Sequence, residues 1–249
     1  MTSAAAALAA PRVRPRVALI VPTFNEEEAI GPTLAAVPAD TIEQILVADG
    51  GSRDRTVEVA TAAGAVVVSP GRGFGLGCLE AARHAVDCDI LVFMDGDGAD
   101  DPAIIPELIR PIARGEADFV IASRTRGVRE PGSMSWHQIA AGRAAGLGMR
   151  LLYGARFTDM CTFRAIRRDA LLQLRMTEMT YGWNLEMQMR AARAGLTIVE
   201  IPAPCRRRLG GVSKVAGSLR SSLQVGLRLC ITFLRVAIRP AARSINPEA

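Results

Sequence analysis

The 249-residue chain is poor in aromatic residues, histidine and lysine. Phe, Trp and Tyr together make up 4% of the residues, and there are two histidines. Proteins that hold single-stranded nucleic acid use aromatic stacking platforms beside basic residues, and no basic run here is interleaved with aromatics. We therefore exclude nucleic acid as a partner. The formal charge of +5 suits another anionic substrate or an anionic surface.

The cysteines lack the spacing of a disulfide framework or a zinc site. The five are scattered, none forms a C-x-x-C pair, and no histidine cluster lies near them. Such a pattern indicates neither a disulfide framework nor a zinc site. Reduced thiols are typical of the cytoplasm, which is the location that we predict.

The chain also lacks a long uncharged hydrophobic run. No stretch reaches the roughly 18 apolar residues that a membrane-spanning helix needs. Residues 1–16 are Ala-rich, and their arginines follow the apolar part, which reverses the order found in a signal peptide. We interpret 1–16 as a disordered leader.

Short apolar runs alternate with helical patterns from residue 17 onwards. The runs are continuously apolar, as expected for strands that helices cover on both faces. This β-α-β alternation predicts a mostly parallel, Rossmann-like α/β sheet with right-handed crossovers. The predicted strands are 17–22, 44–49, 65–70, 89–95, 117–123 and a later short one at 196–202.

Polar clusters stand directly after these strands, where α/β sheets bind ligands. Asp95-Gly96-Asp97 follows the fourth run, and more carboxylates crowd the stretch up to Asp101. Two carboxylates separated by one small residue present oxygens to a hard cation, Mg²⁺ or Mn²⁺, that also binds diphosphate. An acidic turn is the alternative, because Asp-Gly pairs are common in turns. We predict a metal site with Asp95 and Asp97 as ligands.

Two further clusters follow the first and second strands. Asn25 is a good helix N-cap, and the glutamates after it suit a first helical turn, so capping alone would explain this acidic run. Asp49 ends the second strand, where its carboxylate could accept a hydrogen bond from the N–H edge of a base. We therefore treat Asp49 as a candidate nucleotide-binding residue.

In this order the motifs resemble the inverting GT-A glycosyltransferases of family 2, in particular dolichol-phosphate mannose synthases and bacterial polyprenyl-phosphate glycosyltransferases. The segments that carry the resemblance are PTFNEEE, DGGSRDRT, MDGDGADDP, ASRTRG, TDMCTFRAIRRDAL and RRLGGVSKV. The resemblance covers roughly residues 17–216. It implies a metal-dependent enzyme with a GT-A fold and a nucleotide-sugar donor.

The resemblance also implies a role for each matching residue. Asp97 would hold the metal and diphosphate most directly, and Arg124 would lie near the phosphates. Arg208, Ser213 and Lys214 match an R-x-x-G-x-S-K element that closes over phosphate groups, a task that suits a glycine-rich loop with two cations. The residues implied around the base and ribose are Pro22, Phe24, Glu26 and Asp49.

On this interpretation, residues 17–217 form one GT-A domain. Residues 17–123 make its donor half and 124–217 its acceptor half, and 218–249 make an amphipathic helix and tail. The glycines of GRGFGLG at 71–77 do not fit the G-x-G-x-x-G dinucleotide pattern, so an NAD enzyme is not expected.

Two single positions stand out within the motifs. Lys214 is the one lysine among thirty basic residues, which favours a need for a compact ammonium group there; chance survival of a single lysine is the alternative. Ala99 stands where the mannose synthase branch often has glutamine, so one metal contact of that branch is in doubt.

The acceptor is the open question, because a hydroxyl acceptor needs a base whereas a phosphate is already anionic. Related enzymes with hydroxyl acceptors carry a Glu-Asp pair before a helical arginine, and the matching positions before Arg190 are Trp183 and Asn184. Glu186 and Asp159 remain as candidate bases. We predict a polyprenyl-phosphate acceptor. The alternatives are a small soluble, phosphorylated acceptor and a non-catalytic nucleotide-sugar-binding module.

The sequence pattern of residues 218–239 predicts an amphipathic helix. Four arginines share one face at 100° per residue, and most other positions are apolar. A basic stripe on an apolar body is typical of a helix on an anionic membrane surface, here the cytoplasmic face. The alternative is that the helix packs on its own core, on a second copy or on a small membrane partner. The arginines are Arg220, Arg228, Arg235 and Arg239.

Overall fold

The structure, a computed structural model, describes residues 14–210 and 219–238, with side chains of the last helix described from Gln224 onwards. Its strands are β1 (Val17–Thr23), β2 (Gln44–Asp49), β3 (Val66–Val68), β4 (Ile90–Phe93), β5 (Phe119–Ser123), β6 (Arg164–Arg167) and β7 (Ile198–Pro202). They form one sheet in the order β3-β2-β1-β4-β6-β5-β7. All neighbours are parallel except β6, which runs antiparallel to β4 and β5. The predicted mostly parallel α/β sheet is confirmed.

The helices lie between and after these strands. In the described part of the chain they are α1 (Ile30–Ala35), α2 (Thr56–Ala62), α3 (Phe74–His84), α4 (Ile105–Ala113), α5 (Trp136–Tyr153), α6 (Arg168–Leu174), α7 (Trp183–Arg193) and α8 (Leu219–Ile238). Helix α3 packs on β1 and β2, and α4 packs on β4, β5 and β6. Because β6 and β7 come from the predicted acceptor half, the two halves share one sheet.

The central strands are buried along their length, as their continuous apolar runs predict. Residues of β1 and β4 such as Leu19, Ile20 and Leu91 have no exposed surface. The register pairs Thr23 of β1 with Asp49 of β2, and Ile20 of β1 with Phe93 of β4. The carboxyl ends of β1, β2 and β4 therefore meet at one edge, which gathers the polar clusters that follow them.

The first helix starts later than the sequence predicts. We expected it from Glu26 with Asn25 as N-cap, but Asn25 has a φ of 52° and α1 begins at Ile30. The Asn25 side chain instead accepts a hydrogen bond from the Arg53 backbone N–H at 2.9 Å. Asn25 therefore does not cap α1, and its side-chain amide instead connects the loop after β1 to the loop after β2. The capping interpretation is wrong.

Helix α8 packs on α5 and α7 with Thr232 and Val236 buried. Arg235 donates to the buried carboxylate of Glu178 at 2.8 Å, and Arg228 lies 4.0 Å from it. The predicted helix is present, but Arg235 faces the protein, where the buried Glu178 needs a positive partner, whereas the Arg228 side chain is 47% exposed.

Several predicted features lie outside the described residues. Nearly all of the leader, together with Ser213, Lys214 and Arg239, falls there. Among the helices of the described part, none has the length and apolarity to cross a membrane.

Candidate active site

Residues 95–101, which follow β4, form an acidic loop, and an arginine from far along the chain makes an ion pair with it. Asp97 is buried, and its Oδ2 accepts a hydrogen bond from Arg208 Nη1 at 2.6 Å. The other end of the same guanidinium donates to Glu26 Oε1 at 2.6 Å. Three residues predicted in three separate motifs thus meet in one ion-paired cluster.

Main-chain hydrogen bonds hold Arg208 over this loop. The Leu209 N–H donates to the Asp97 carbonyl at 3.0 Å, and the Arg206 N–H donates to the Ala99 carbonyl at 2.9 Å. Leu209 also packs on Gly98, where an added Cβ would lie 2.5 Å from Leu209 Cγ. The segment 206–210 therefore covers the acidic loop, and Ala99 serves this contact through its backbone.

Asp95 lies beside a third carboxylate that the sequence analysis did not single out, Asp100. The Asp95 N–H donates to Asp100 Oδ2 at 3.3 Å. Desolvation raises the pKa of Asp95 to about 8, and the negative charges of Asp97 and Asp100 add to this rise. Desolvation and the charge of Asp97 likewise raise the pKa of Asp100 to about 7. The crowding of acidic residues up to Asp101 was the signal that pointed to it.

These raised pKa values predict how stability depends on pH. Between about pH 4 and pH 8 the folded protein keeps protons on Asp95 and Asp100 that the unfolded chain has released. Stability should therefore fall as pH rises through this window. Thermal unfolding without metal at pH 5.5 to 8.5 measures the slope. Asp100→Asn should flatten this slope and raise stability at pH 8, whereas equal slopes for both proteins would contradict the assignment.

Asp49 and Phe24 lie at the ends of neighbouring strands. The Asp49 carboxylate accepts the N–H groups of Gly51 and Ser52 at 3.0 Å each, and also the Ser52 hydroxyl. Since a carboxylate has about four acceptor positions, these three donors leave about one for a ligand. Arg72, which the sequence analysis did not select, stacks over the Phe24 ring with 4.4 Å between the guanidinium carbon and the ring centroid.

Arg124, which is partly buried, and the buried Asp159 form an ion pair beside the acidic loop. Arg124 donates through Nε and Nη2 to the two carboxylate oxygens at 2.8 Å, and its backbone N–H adds a bond at 3.0 Å. Burial alone would raise the pKa of Asp159, but its bonds to Arg124 hold the pKa below the ordinary value. A carboxylate so stabilised is a weak base. The arrangement favours Asp159 as the residue that positions Arg124.

Glu186, the other candidate base, has no exposed surface. Its carboxylate accepts the backbone N–H groups of Thr177 and Glu178 at 2.9 and 2.6 Å. Arg190 donates to it from one helical turn away at 2.9 Å. Every bond that Glu186 makes is internal to the loop before α7 and to α7 itself, so its environment is that of a structural ion pair.

The residues at the acidic loop fit a divalent cation. Carboxylate oxygens are the ligands that Mg²⁺ and Mn²⁺ prefer. Desolvation and the mutual repulsion of the carboxylates raise the pKa of Asp95 and Asp100, and a bound cation would offset that repulsion. Gly96 brings the two strand-end carboxylates close to the sheet, since a Cβ would lie 2.6 Å from Thr23 Cγ2. Within residues 14–210 and 219–238, no three His, Cys, Asp or Glu side chains are placed to hold one ion alone. Diphosphate oxygens would complete the coordination, as is usual for Mg²⁺.

Comparison with known proteins agrees with this picture. A model described as glycosyl transferase family 2 matches residues 18–175. An uncharacterised glycosyltransferase of Mycobacterium tuberculosis is 36% identical, with 83% of this chain and 93% of that protein covered. The undecaprenyl-phosphate mannosyltransferase of Micrococcus luteus is 32% identical over 82% of this chain and 89% of its own. The dolichyl-phosphate hexose transferase of Haloferax volcanii is 35% identical over 78% and 84%.

Solved structures give the same fold. The glucosyl-3-phosphoglycerate synthase of Mycobacterium tuberculosis superposes with a TM-score of 0.74 at 22% identity, covering 91% of this chain and 81% of that one. A seven-stranded, mostly parallel sheet with an acidic loop at its carboxyl edge is thus the GT-A architecture of sugar-transferring enzymes. The chain belongs to glycosyltransferase family 2 and is a glycosyltransferase, which confirms the predicted family and enzyme class.

Proposed function

We propose that this enzyme transfers a sugar, with inversion, from a nucleotide-sugar donor to a polyprenyl phosphate. The observation that carries the choice of acceptor is that both candidate bases are committed to other partners. Glu186 is bound to Arg190 and to the loop before α7, and Asp159 is bound to Arg124. A phosphate acceptor needs no base. Relatives named for undecaprenyl phosphate and dolichyl phosphate support the same acceptor class.

The nucleotide would lie along the ends of β1 and β2. Phe24 with Arg72 offers a flat, positively charged surface for a base, and the remaining acceptor position of Asp49 could receive a base N–H. Pro22, near the end of β1, and Glu26, in the loop after it, would line the same edge. These groups would form a nucleotide pocket without selecting one base.

The diphosphate would lie over the acidic loop. Asp95 and Asp97 would hold Mg²⁺ or Mn²⁺, which when bound stabilises negative charge on the departing diphosphate. Arg208 and Arg124 supply fixed positive charge at the same edge, and the sequence match adds Ser213 and Lys214. The acceptor phosphate oxygen forms a bond to the anomeric carbon from the opposite face as the bond to the diphosphate oxygen breaks.

The acceptor would reach the site from a membrane on which α8 and α5 lie. Four apolar residues of α8 fall within about 60° of one another at 100° per residue, and each is exposed by 47% to 78%. The neighbouring helix α5 exposes further leucines, and neither helix contains an acidic residue. We call these side chains the apolar stripe: Leu147, Leu151, Leu227, Ile231, Leu234 and Ile238.

The charges around the apolar stripe favour an anionic bilayer over a second copy. Arg143 and Arg150 are exposed on α5 and Arg228 is 47% exposed on α8, whereas Arg235 is bonded to Glu178. A second copy across a twofold axis would bring arginines of like helices together, while anionic headgroups would neutralise them. The bilayer contact would thus rest on apolar side chains flanked by arginines, at the cytoplasmic face, where free cysteines are usual.

We predict that the double variant Ile231→Gln, Leu234→Gln binds anionic vesicles about tenfold more weakly than wild type, because two apolar side chains no longer leave water. Co-sedimentation with phosphatidylcholine–phosphatidylglycerol vesicles measures this. Leu172→Gln is the matched control, since Leu172 is an exposed leucine on α6. Unchanged vesicle binding together with a lower oligomeric mass in the double variant would assign the stripe to a second copy instead.

A small phosphorylated acceptor is the second candidate. The superposing synthase was solved with phosphoglyceric acid, and the commitment of Glu186 and Asp159 suits a small acceptor whose phosphate oxygen, rather than a hydroxyl, is the attacking atom. This candidate needs no membrane contact.

One assay separates the two candidates. Nucleotide sugars are screened for turnover with Mn²⁺ and with Mg²⁺, using either a short-chain polyprenyl phosphate or 3-phosphoglycerate as acceptor. We expect transfer to the polyprenyl phosphate in the presence of metal. Transfer only to the soluble phosphate would replace the proposed acceptor, and donor binding without any turnover would indicate a binding module.

A further inference from the structure

The bond between Arg208 and Asp97 places a fixed cation where the proposed metal ion must bind. Asp97 Oδ1 accepts the Ala99 N–H at 2.9 Å, and Oδ2 accepts Arg208 Nη1 at 2.6 Å. Both carboxylate oxygens therefore have a donor already. Arg208 Nη2 is held at the same time by Glu26 at 2.6 Å, so the guanidinium bridges two buried carboxylates.

Arg208 and a divalent cation cannot share Asp97 without strong repulsion. A metal ion bound about 2.1 Å from Oδ2 would lie within about 4 Å of a guanidinium on the same oxygen. At that distance, in a partly buried site, like charges repel strongly. The side chain of Arg208 is 26% exposed, so it can turn away from Asp97 toward solvent.

We propose that Arg208 competes with the metal ion for Asp97 and so makes metal binding dependent on the nucleotide. This inference rests on the proposed metal site at Asp95 and Asp97. A metal ion alone must displace Arg208 from Asp97 and leave it with Glu26. A metal ion with a nucleoside diphosphate supplies Arg208 with phosphate oxygens as new partners, and the same diphosphate completes the metal coordination. The two ligands therefore bind with positive coupling, each raising the affinity for the other by the same factor.

The backbone geometry keeps this competition local. Leu209 and Arg206 are bonded through their N–H groups to the carbonyls of Asp97 and Ala99, so the Arg208 backbone stays over the acidic loop when its side chain moves. The exchange needs only a change of side-chain rotamer. Arg206 provides an internal comparison, because it pairs with Asp101 at 2.6 Å and does not touch Asp97.

The test is Mn²⁺ binding to the full-length protein, measured by the loss of the free Mn²⁺ electron paramagnetic resonance signal, with and without UDP. For wild type we expect weak binding alone and at least ~100-fold tighter binding with UDP, a coupling of the upper size usual between two sites. Arg208→Gln should bind Mn²⁺ alone at least ~10-fold more tightly and lose most of the UDP effect. Arg206→Gln, the matched control, should behave as wild type.

A second variant guards against a folding defect in Arg208→Gln. Arg208→Lys keeps a positive charge but lacks the planar fork that bridges Glu26 and Asp97, and it should also raise the affinity for Mn²⁺ alone, by less than Arg208→Gln. If neither variant binds Mn²⁺ more tightly while wild type binds it with UDP, the competition is overturned and the metal site stands. If wild type binds no Mn²⁺ even with UDP, the metal site itself fails.

Discussion

Replacing Asp97 with asparagine is expected to lower sugar transfer by about a thousandfold or more while the protein stays folded. The change removes a charged metal ligand at the point where negative charge develops on the leaving diphosphate, and losses of this size follow the removal of such electrostatic stabilisation. The asparagine side chain would keep an oxygen for the Ala99 N–H, and Arg208 would keep its bond to Glu26. The fold should therefore tolerate the change.

Turnover with the preferred nucleotide sugar and saturating Mn²⁺ measures the effect, with circular dichroism to check the fold. Asp101→Asn is the matched control, because Asp101 belongs to the same acidic stretch but pairs with Arg206 and caps the turn at Ala103. It should keep activity within about threefold of wild type, as expected for a residue remote from the developing charge. Similar losses in both variants would mean that the carboxylates act only as a general negative field.

The sequence was sufficient to predict the strands made of uninterrupted apolar residues, but not β6. That strand contains Arg164, which is fully buried between neighbouring strands and breaks the apolar pattern. Backbone carbonyls, among them those of Thr162 and Asn184, accept its hydrogen bonds, and burial lowers its pKa to about 10. No local pattern predicts a buried arginine in a central strand, because its partners come from other segments.

The site was predictable only in part, for the same reason. Asp95 and Asp97 are visible as a motif, but the bridge from Asp97 through Arg208 to Glu26 joins residues 111 and 182 positions apart. The face of α8 that packs inward was also hidden, since it depends on Glu178. Sequence periodicity identifies an amphipathic helix, whereas the partner of its charged face is a tertiary property.

Glu186→Gln should lower stability strongly and turnover little. The substitution removes the charge that Arg190 and two backbone N–H groups share in a fully buried position. Breaking an ion pair on one side typically costs about 3 kcal/mol or more when the remaining charge is fully buried. Arg190 is 22% exposed, so Glu186→Gln should cost somewhat less than Arg190→Met, which leaves the fully buried Glu186 charge without its partner.

Urea unfolding measures the stability of each variant, and turnover is measured at a temperature where each remains folded. A structural role for Glu186 predicts a large shift of the unfolding midpoint with activity per folded molecule close to wild type. The opposite pattern, a loss of turnover beyond about 100-fold with an unchanged midpoint, would make Glu186 the base. Since a phosphate acceptor needs no base, that result would also replace the proposed acceptor with a hydroxyl group.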